Sequence, residues 1–154
     1  SIFRVVKYKI IPFDAEFLKC SYKWLRDPEI AFLTGTGEIT RESQLVFFNS
    51  LPNRKDYKIW GVNIDNERAG AAGIKNIDSL TGEYWGYIGN KSLWGKGHGS
   101  VLCRELIARA RKMELHSLYL KVLRTNSRAY SLYAKMGFEE EVEKNGWVKM
   151  SLAL

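Results

Sequence analysis

Cysteine, histidine and proline are all scarce in this 154-residue sequence, at two, two and three residues. Cys20 and Cys103 fall in helically spaced stretches without metal-ligand spacing, so they read as buried thiols, and neither a metal site nor a disulfide is expected. No segment approaches the uninterrupted apolar length of a membrane span, and no charged opening followed by an apolar stretch marks a secretory leader. The expected compartment is the cytoplasm. Arginine-rich runs and zinc-finger spacings are missing too, although 24 basic residues outnumber 17 acidic ones for a net charge of +7. That surplus favours an anionic ligand, such as a nucleotide or a phosphorylated cofactor, and leaves nucleic acid a minority reading. With no repeat, low-complexity tract or linker, and 45% apolar content, residues 1–154 read as one domain with a core of its own.

The few prolines mark the ends of elements. Ile2–Ile11 reads as a first strand closed by Pro12, which has no N–H to give a ladder. Asp14 can cap a helix over Ala15–Leu25, whose Phe17, Leu18, Tyr22 and Leu25 share a face. Arg26-Asp27-Pro28 breaks it, Gly35-Thr36-Gly37 is a loop, and Thr40 opens a second helix that Pro52 stops. From Tyr57 the period changes to two. Tyr57–Ile64, Ala69–Ile77 and Glu83–Gly89 read as an antiparallel meander with turns at Asp65–Arg68 and Asp78–Gly82. A helix then runs from Ser100 to near Glu114, a strand covers Ser117–Val122, and a helix covers Asn126–Met136, with Gly137 after its end. Phe138–Lys144 and Gly146–Leu154 close the chain as a hairpin about Asn145-Gly146. The fold class is α/β on a mixed, mostly antiparallel sheet. Glu83–Gly89 and Ser117–Val122, joined by a helical crossover, are expected as parallel neighbours.

The chemistry concentrates between those two strands. Trp94–Gly99 holds glycines at 95, 97 and 99 and leads directly into a helix. Glycines reach backbone angles other residues resist, so successive N–H groups can converge on one point, and the first helical turn adds unpaired N–H groups and a positive dipole end. A phosphate or pyrophosphate suits such a cradle. It is not a Walker loop, because no lysine precedes Ser100, and its spacing and late position do not fit a dinucleotide fold.

Two motifs carry a family resemblance that covers essentially the whole chain. Trp94-Gly95-Lys96-Gly97-His98-Gly99 resembles the pyrophosphate motif Gln/Arg-x-x-Gly-x-Gly/Ala of the GNAT superfamily of acetyl-CoA-dependent N-acetyltransferases. Trp94 replaces the usual Gln or Arg, as in the branch that includes ribosomal-protein alanine acetyltransferases. Asn126-x-x-Ala129-x-x-x-Tyr133-x-Lys135-x-Gly137-Phe138 resembles a second superfamily signature. The resemblance implies a sheet of about seven strands with about four helices, the fourth and fifth strands splayed so that the pantetheine arm of acetyl-CoA enters the gap. Gly86 and Gly89 suit a bulge and a close backbone approach there. Backbone N–H groups of Gly95 to Ser100 would hold the pyrophosphate, with Lys96 as a counter-charge and His98 pointing outward. Asn126 would bond the pantetheine amide, although helix capping alone would justify it. An N–H at Tyr87 or Ile88 would polarise the thioester carbonyl. Tyr133 would protonate the departing thiolate of coenzyme A, the alternative being a core tyrosine. Glu83 would be the general base, the alternative being an exposed glutamate near a turn. His98 and His116 read as structural or surface histidines.

The acceptor is less legible. In this fold it meets the first two helices, their loop and the central strands, which nominates Trp24, Arg26, Asp27, Thr36, Tyr57, Trp60, Tyr84 and Trp85. Aromatic walls with few acids argue against a polyamine and for an anionic, ring-bearing small-molecule amine. Leu115-His116-Ser117-Leu118 and Arg26-Asp27-Pro28 are similar to segments of nucleotide-sugar amine acetyltransferases, so a nucleotide-linked amino sugar is the favoured acceptor. A protein N-terminal amine is second, and a non-catalytic acyl-CoA-binding module is the rival class. A homodimer is left open.

Overall fold

The computed structural model describes residues 5–154. Among them are β1 (Tyr8–Pro12), α1 (Ala15–Leu25), α2 (Pro28–Thr34), α3 (Arg41–Ser50), β2 (Lys58–Ile64), β3 (Glu67–Lys75) and β4 (Thr81–Ile88). They are followed by α4 (His98–Lys112), β5 (Ser117–Leu123), α5 (Ser127–Lys135), β6 (Glu139–Lys144) and β7 (Trp147–Ala153). One seven-stranded sheet runs β1-β2-β3-β4-β5-β7-β6. Its ladders are antiparallel except between β4 and β5, the pair expected to be parallel.

Two expectations at the start of the chain change. Residues 2–4 of the expected first strand lie outside the described residues, and the strand itself begins only at Tyr8. Among the described residues there are five α-helices, because Pro28–Thr34 is helical where a break was expected. The signals are local. The Asp27 carboxylate accepts the Glu29 N–H at 2.9 Å, Pro28 sits in the first turn, where its missing N–H costs nothing, and Gly35 ends the helix at φ +69°.

The hairpin turns are tighter than their composition suggests. Asp65 and Asn66 both take positive φ, as do Asn145 and Gly146, which is the two-residue geometry that matches strand twist. Glu67 therefore already belongs to β3, and the expected turn over Asp65–Arg68 is half that length.

One face of the sheet is covered by α4 and α5. Leu102, Cys103, Leu106 and Ala110 recur at the spacing of one helix face, and all four are buried against Ile74, Tyr84, Leu118, Leu120 and Met150. Each fully buried leucine contributes about 1.5–3 kcal/mol. The other face carries α1, whose Phe17 ring lies on Gly61 of β2. β4 and β5 pair only from Thr81↔Ser117 to Glu83↔Tyr119. Beyond that point β4 follows β3 to Ile88 while β5 follows β7 to Leu123, and the two part. The expected bulge in β4 is absent, since its register with β3 is unbroken from Ile88 to Glu83, and the extra residues fall at Ala69 of β3, against β2, and at Glu141 of β6, against β7. Gly86 makes room for the Tyr84 hydroxyl, and Gly89 lies under the ring of Trp24.

Candidate active site

The parting of β4 and β5 opens a cleft of about 1710 Å³ that runs through the sheet. Side chains alternate along a strand, so β4 divides its residues between two faces. Tyr84 and Gly86 face α4 and α5, while Glu83, Trp85 and Tyr87 face α1 to α3.

On the first face the glycine loop closes the cleft. Gly95 and Gly97 take φ of +75° and +85°, and Gly97 is the residue before α4. The helix starts at His98 rather than Ser100, so the N–H groups of His98, Gly99 and Ser100 belong to its unpaired first turn. Trp94 anchors this loop, because its Nε1 donates to the Ile88 carbonyl at 2.7 Å and ties the loop to the end of β4. A guanidinium nevertheless stands at the cradle, since Arg128 of α5 reaches to 3.5 Å of where a Gly95 Cβ would be. Sequence reasoning missed Arg128, although it lies two residues after Asn126 in the second motif. Lys96 is exposed. His98 does not point outward: it is 7% exposed and its Nδ1 meets the Tyr8 hydroxyl. Burial, and then the charge of Lys96, hold its imidazole below the usual value. Asn126 caps α5, accepting the Ala129 N–H at 3.4 Å, as the capping alternative anticipated.

Tyr133 faces this side of the gap, its ring edge-on to Tyr84 at 6.2 Å and to Phe138 at 6.0 Å. Burial raises its phenol above the ordinary value of 10, with the nearby Cys103 adding to the effect. The thiol of Cys103 is itself pushed up to about 12 by burial. Tyr84 belongs with this group and not with the acceptor aromatics: it is buried beside Tyr133. Which N–H groups face the gap follows from the ladder. Gly89 donates to Ala69 at 2.7 Å, so alternation turns the Tyr87 N–H to β3 and leaves that of Ile88 facing β5.

On the second face the site is aromatic. Phe47 of α3 meets Tyr57 at 5.2 Å, Tyr57 meets Trp85 at 6.4 Å, Trp85 stacks on Tyr87 at 6.1 Å, and Trp24 closes the arc against Tyr87 at 6.1 Å. Burial pushes the Tyr57 phenol up to about 12 and that of Tyr87 further. Glu83 lies where β4 and β5 part, 7% exposed rather than exposed at a turn. Asn76 Nδ2 donates to it at 3.0 Å, and Lys75 Nζ stands 4.0 Å away. Tyr119, opposite it on β5, has its phenol raised by burial and then by the Glu83 charge.

Besides Tyr84, three nominated residues do not join this face. Arg26 is exposed outside the cleft, stacked on Tyr22 at 5.2 Å. Trp60 lies under α4, against Arg109 at 5.1 Å. Asp27 caps α2 and pairs with Lys91 at 2.8 Å. Thr36 does line the cleft, its hydroxyl 2.7 Å from that of Thr34. Trp147 was not anticipated. It rests against Gly35 at the end of α2, at 3.1 Å from a Cβ placed there, so it bridges the first helices to β7 across the gap.

A glycine turn leading into the unpaired N–H groups of a helix, beside a parted parallel pair, defines a class: an α/β protein with room for an extended ligand between two strands. Residues 19–138 match the model of the acetyltransferase (GNAT) family, and the chain belongs to that family. Acetyl-CoA is its cofactor, and the positive-φ glycines, the open space at Gly97 and the parted strands fit it. No curated protein matches the sequence. Solved structures do. A domain from Methanocaldococcus jannaschii superposes with TM-score 0.87 at 17% identity, over 97% of this chain and 100% of that one. The N-acetyltransferase PseH of Campylobacter jejuni in complex with acetyl coenzyme A gives 0.73 at 22%, over 97% and 99%. Spermidine N-acetyltransferase of Vibrio cholerae in complex with CoA and spermine gives 0.83 at 18%, over 96% and 95%. Among the described residues no helix is long and apolar enough to cross a membrane.

Proposed function

We propose that this chain transfers acetyl from acetyl-CoA to the primary amine of a small molecule, and that the amine is carried by a nucleotide-linked amino sugar. The observation that carries the transfer reading is the placing of Tyr133 and Glu83 on opposite faces of one gap, because the two proton movements of the reaction occur on opposite sides of the reacting carbonyl. Bound acetyl-CoA supplies an activated thioester. The N–H groups at the start of α4, with Arg128 beside them, hold phosphate oxygens. The Ile88 N–H, turned to the gap, donates to the carbonyl oxygen. Tyr133 donates to the sulfur. Its raised pKa keeps the proton in place until negative charge develops there. Glu83, held by Asn76, takes the proton that an ammonium must lose before it can attack.

The nucleotide-sugar reading draws on the aromatic arc, whose faces suit sugar and base rings, and on cations other than Arg26. Lys121 and Lys149 line the same cleft. Two neighbours in the fold act on amines by their names, which supports an amine acceptor in general. A thiol-release assay with nucleotide amino sugars, free amino sugars, spermidine and peptides beginning with Ser or Ala tests both levels. We expect the nucleotide conjugate to exceed the free sugar, since remote phosphate binding supports the chemical step. Efficient peptide acetylation with silence on every sugar would replace the acceptor. Silence on every amine, with CoA still bound, would remove the activity.

A further inference from the structure

The β5–β7 half of the acceptor face carries charge that the two proton transfers described above leave unused. Lys121 and Lys149 stand directly opposite each other in the antiparallel ladder of β5 and β7. Side chains so placed share a face, with Cβ atoms about 4.5–5.5 Å apart, and like charges there are destabilising. The face follows from their neighbours. Leu120, Val122, Val148 and Met150 are buried in the core beneath α4, so the two lysines project to the opposite side. There Lys149 Nζ lies 4.7 Å from the centre of the Tyr119 ring, and Tyr119 is the residue opposite Glu83. Glu141 is 3.3 Å from Lys149 and offsets one of the two charges. Among the described residues no carboxylate pairs with Lys121, which is exposed. Lys144, opposite Trp147 in the β6–β7 register, lines the same cleft.

Two lysines on opposing positions of one sheet face, beside a reaction site, bring together positive charge that an anion relieves. Resting on the acetyl-transfer reading, we propose that Lys121 and Lys149, with Lys144, form an anion subsite that takes a phosphate of the acceptor, with Trp147 as the platform for the ring beyond it. The spacing agrees. Lys121 is two residues along β5 from Tyr119, about 7 Å, which is roughly the reach of one sugar ring from an amine at Glu83. The subsite lies on the α1–α3 face, across the sheet from the glycine loop, so it is separate from the phosphate cradle of the cofactor.

The test titrates uridine diphosphate into protein saturated with CoA, so that the glycine loop is already filled. We expect binding that weakens as salt is raised, and that falls about tenfold or more in Lys121→Gln while CoA affinity is unchanged. The ligand-free Lys121→Gln protein should also melt about 1–3 °C higher, because a like-charge pair has been relieved. Inorganic pyrophosphate bound through Lys121 supports the assignment as well. No binding of either phosphate to the CoA-loaded protein, or binding indifferent to Lys121→Gln, overturns it. An acidic peptide bound through Lys121 in place of both phosphates overturns the phosphate class. Thiol release from an amine without any diphosphate binding leaves acetyl transfer standing and removes the subsite alone. Diphosphate binding through Lys121 with no thiol release from any amine does the reverse.

Discussion

At Gly97 the backbone holds φ +85° with nothing within 4 Å of where a Cβ would stand. The cost of a side chain there is conformational, about 1–2 kcal/mol, to which Val adds bulk in the path of an approaching phosphate. Gly97→Val should weaken CoA binding by about tenfold or more in calorimetry, and near-normal affinity would move the phosphate away from this loop. Tyr133→Phe keeps the ring contacts with Tyr84 and Phe138 and removes the proton. Turnover should fall by about 10²-fold or more with CoA affinity little changed. The pH sign follows from burial. A phenol held above 10 stays protonated through the neutral and mildly alkaline range, so Tyr133 should impose no alkaline limb on turnover below about pH 10. A limb near pH 8 that vanishes in Tyr133→Phe would contradict that assignment.

Among the elements, the glycine loop depends on β4 through one side chain. Trp94→Phe removes the 2.7 Å bond to the Ile88 carbonyl and leaves an aromatic ring. The expected loss is about 1 kcal/mol, seen as a melting point about 2–4 °C lower, together with weaker CoA binding because the loop is no longer held to the strand. Unchanged melting and affinity would reduce Trp94 to packing. Its position in the motif was evident from sequence, but its bond was not, since an indole six residues downstream can turn to several carbonyls. The helix α2 was legible in principle. Asp27, Pro28 and Gly35 are start and stop signals, yet seven residues between two breakers hold too few turns to show a period.

At the scale of the whole molecule, Trp147 joins parts of the chain that sequence spacing keeps far apart. It rests on Gly35, and both line the cleft. Trp147→Ala should raise the KM of the acceptor several-fold while CoA affinity stays the same, because the contact lies on the α1–α3 face and the glycine loop on the other. A matching loss of CoA affinity would show that the bridge supports the whole gap and not the acceptor alone.

The sequence by itself determined the strand and helix order from Ala15 onward, apart from α2, together with the glycine loop, the parallel pairing of β4 with β5 and the family motifs. Each of these rests on local spacing: the alternation along β5, the glycines at 95, 97 and 99, the apolar face of α4. The two faces of the gap were decided by tertiary structure. Alternation says that Tyr84 and Trp85 point apart, but only the packing of α4 and α5 over one side of the sheet places Tyr84 with Tyr133 and Trp85 with Tyr57. The same holds for His98, which Tyr8 of the first strand meets, and for Arg26, which the end of α1 turns away from the cleft. It holds also for Lys121 and Lys149, whose confrontation exists only once β7 has paired with β5. Periodicity is written within a few residues of chain, whereas the identity of the neighbour across a gap depends on which surfaces have been buried against each other.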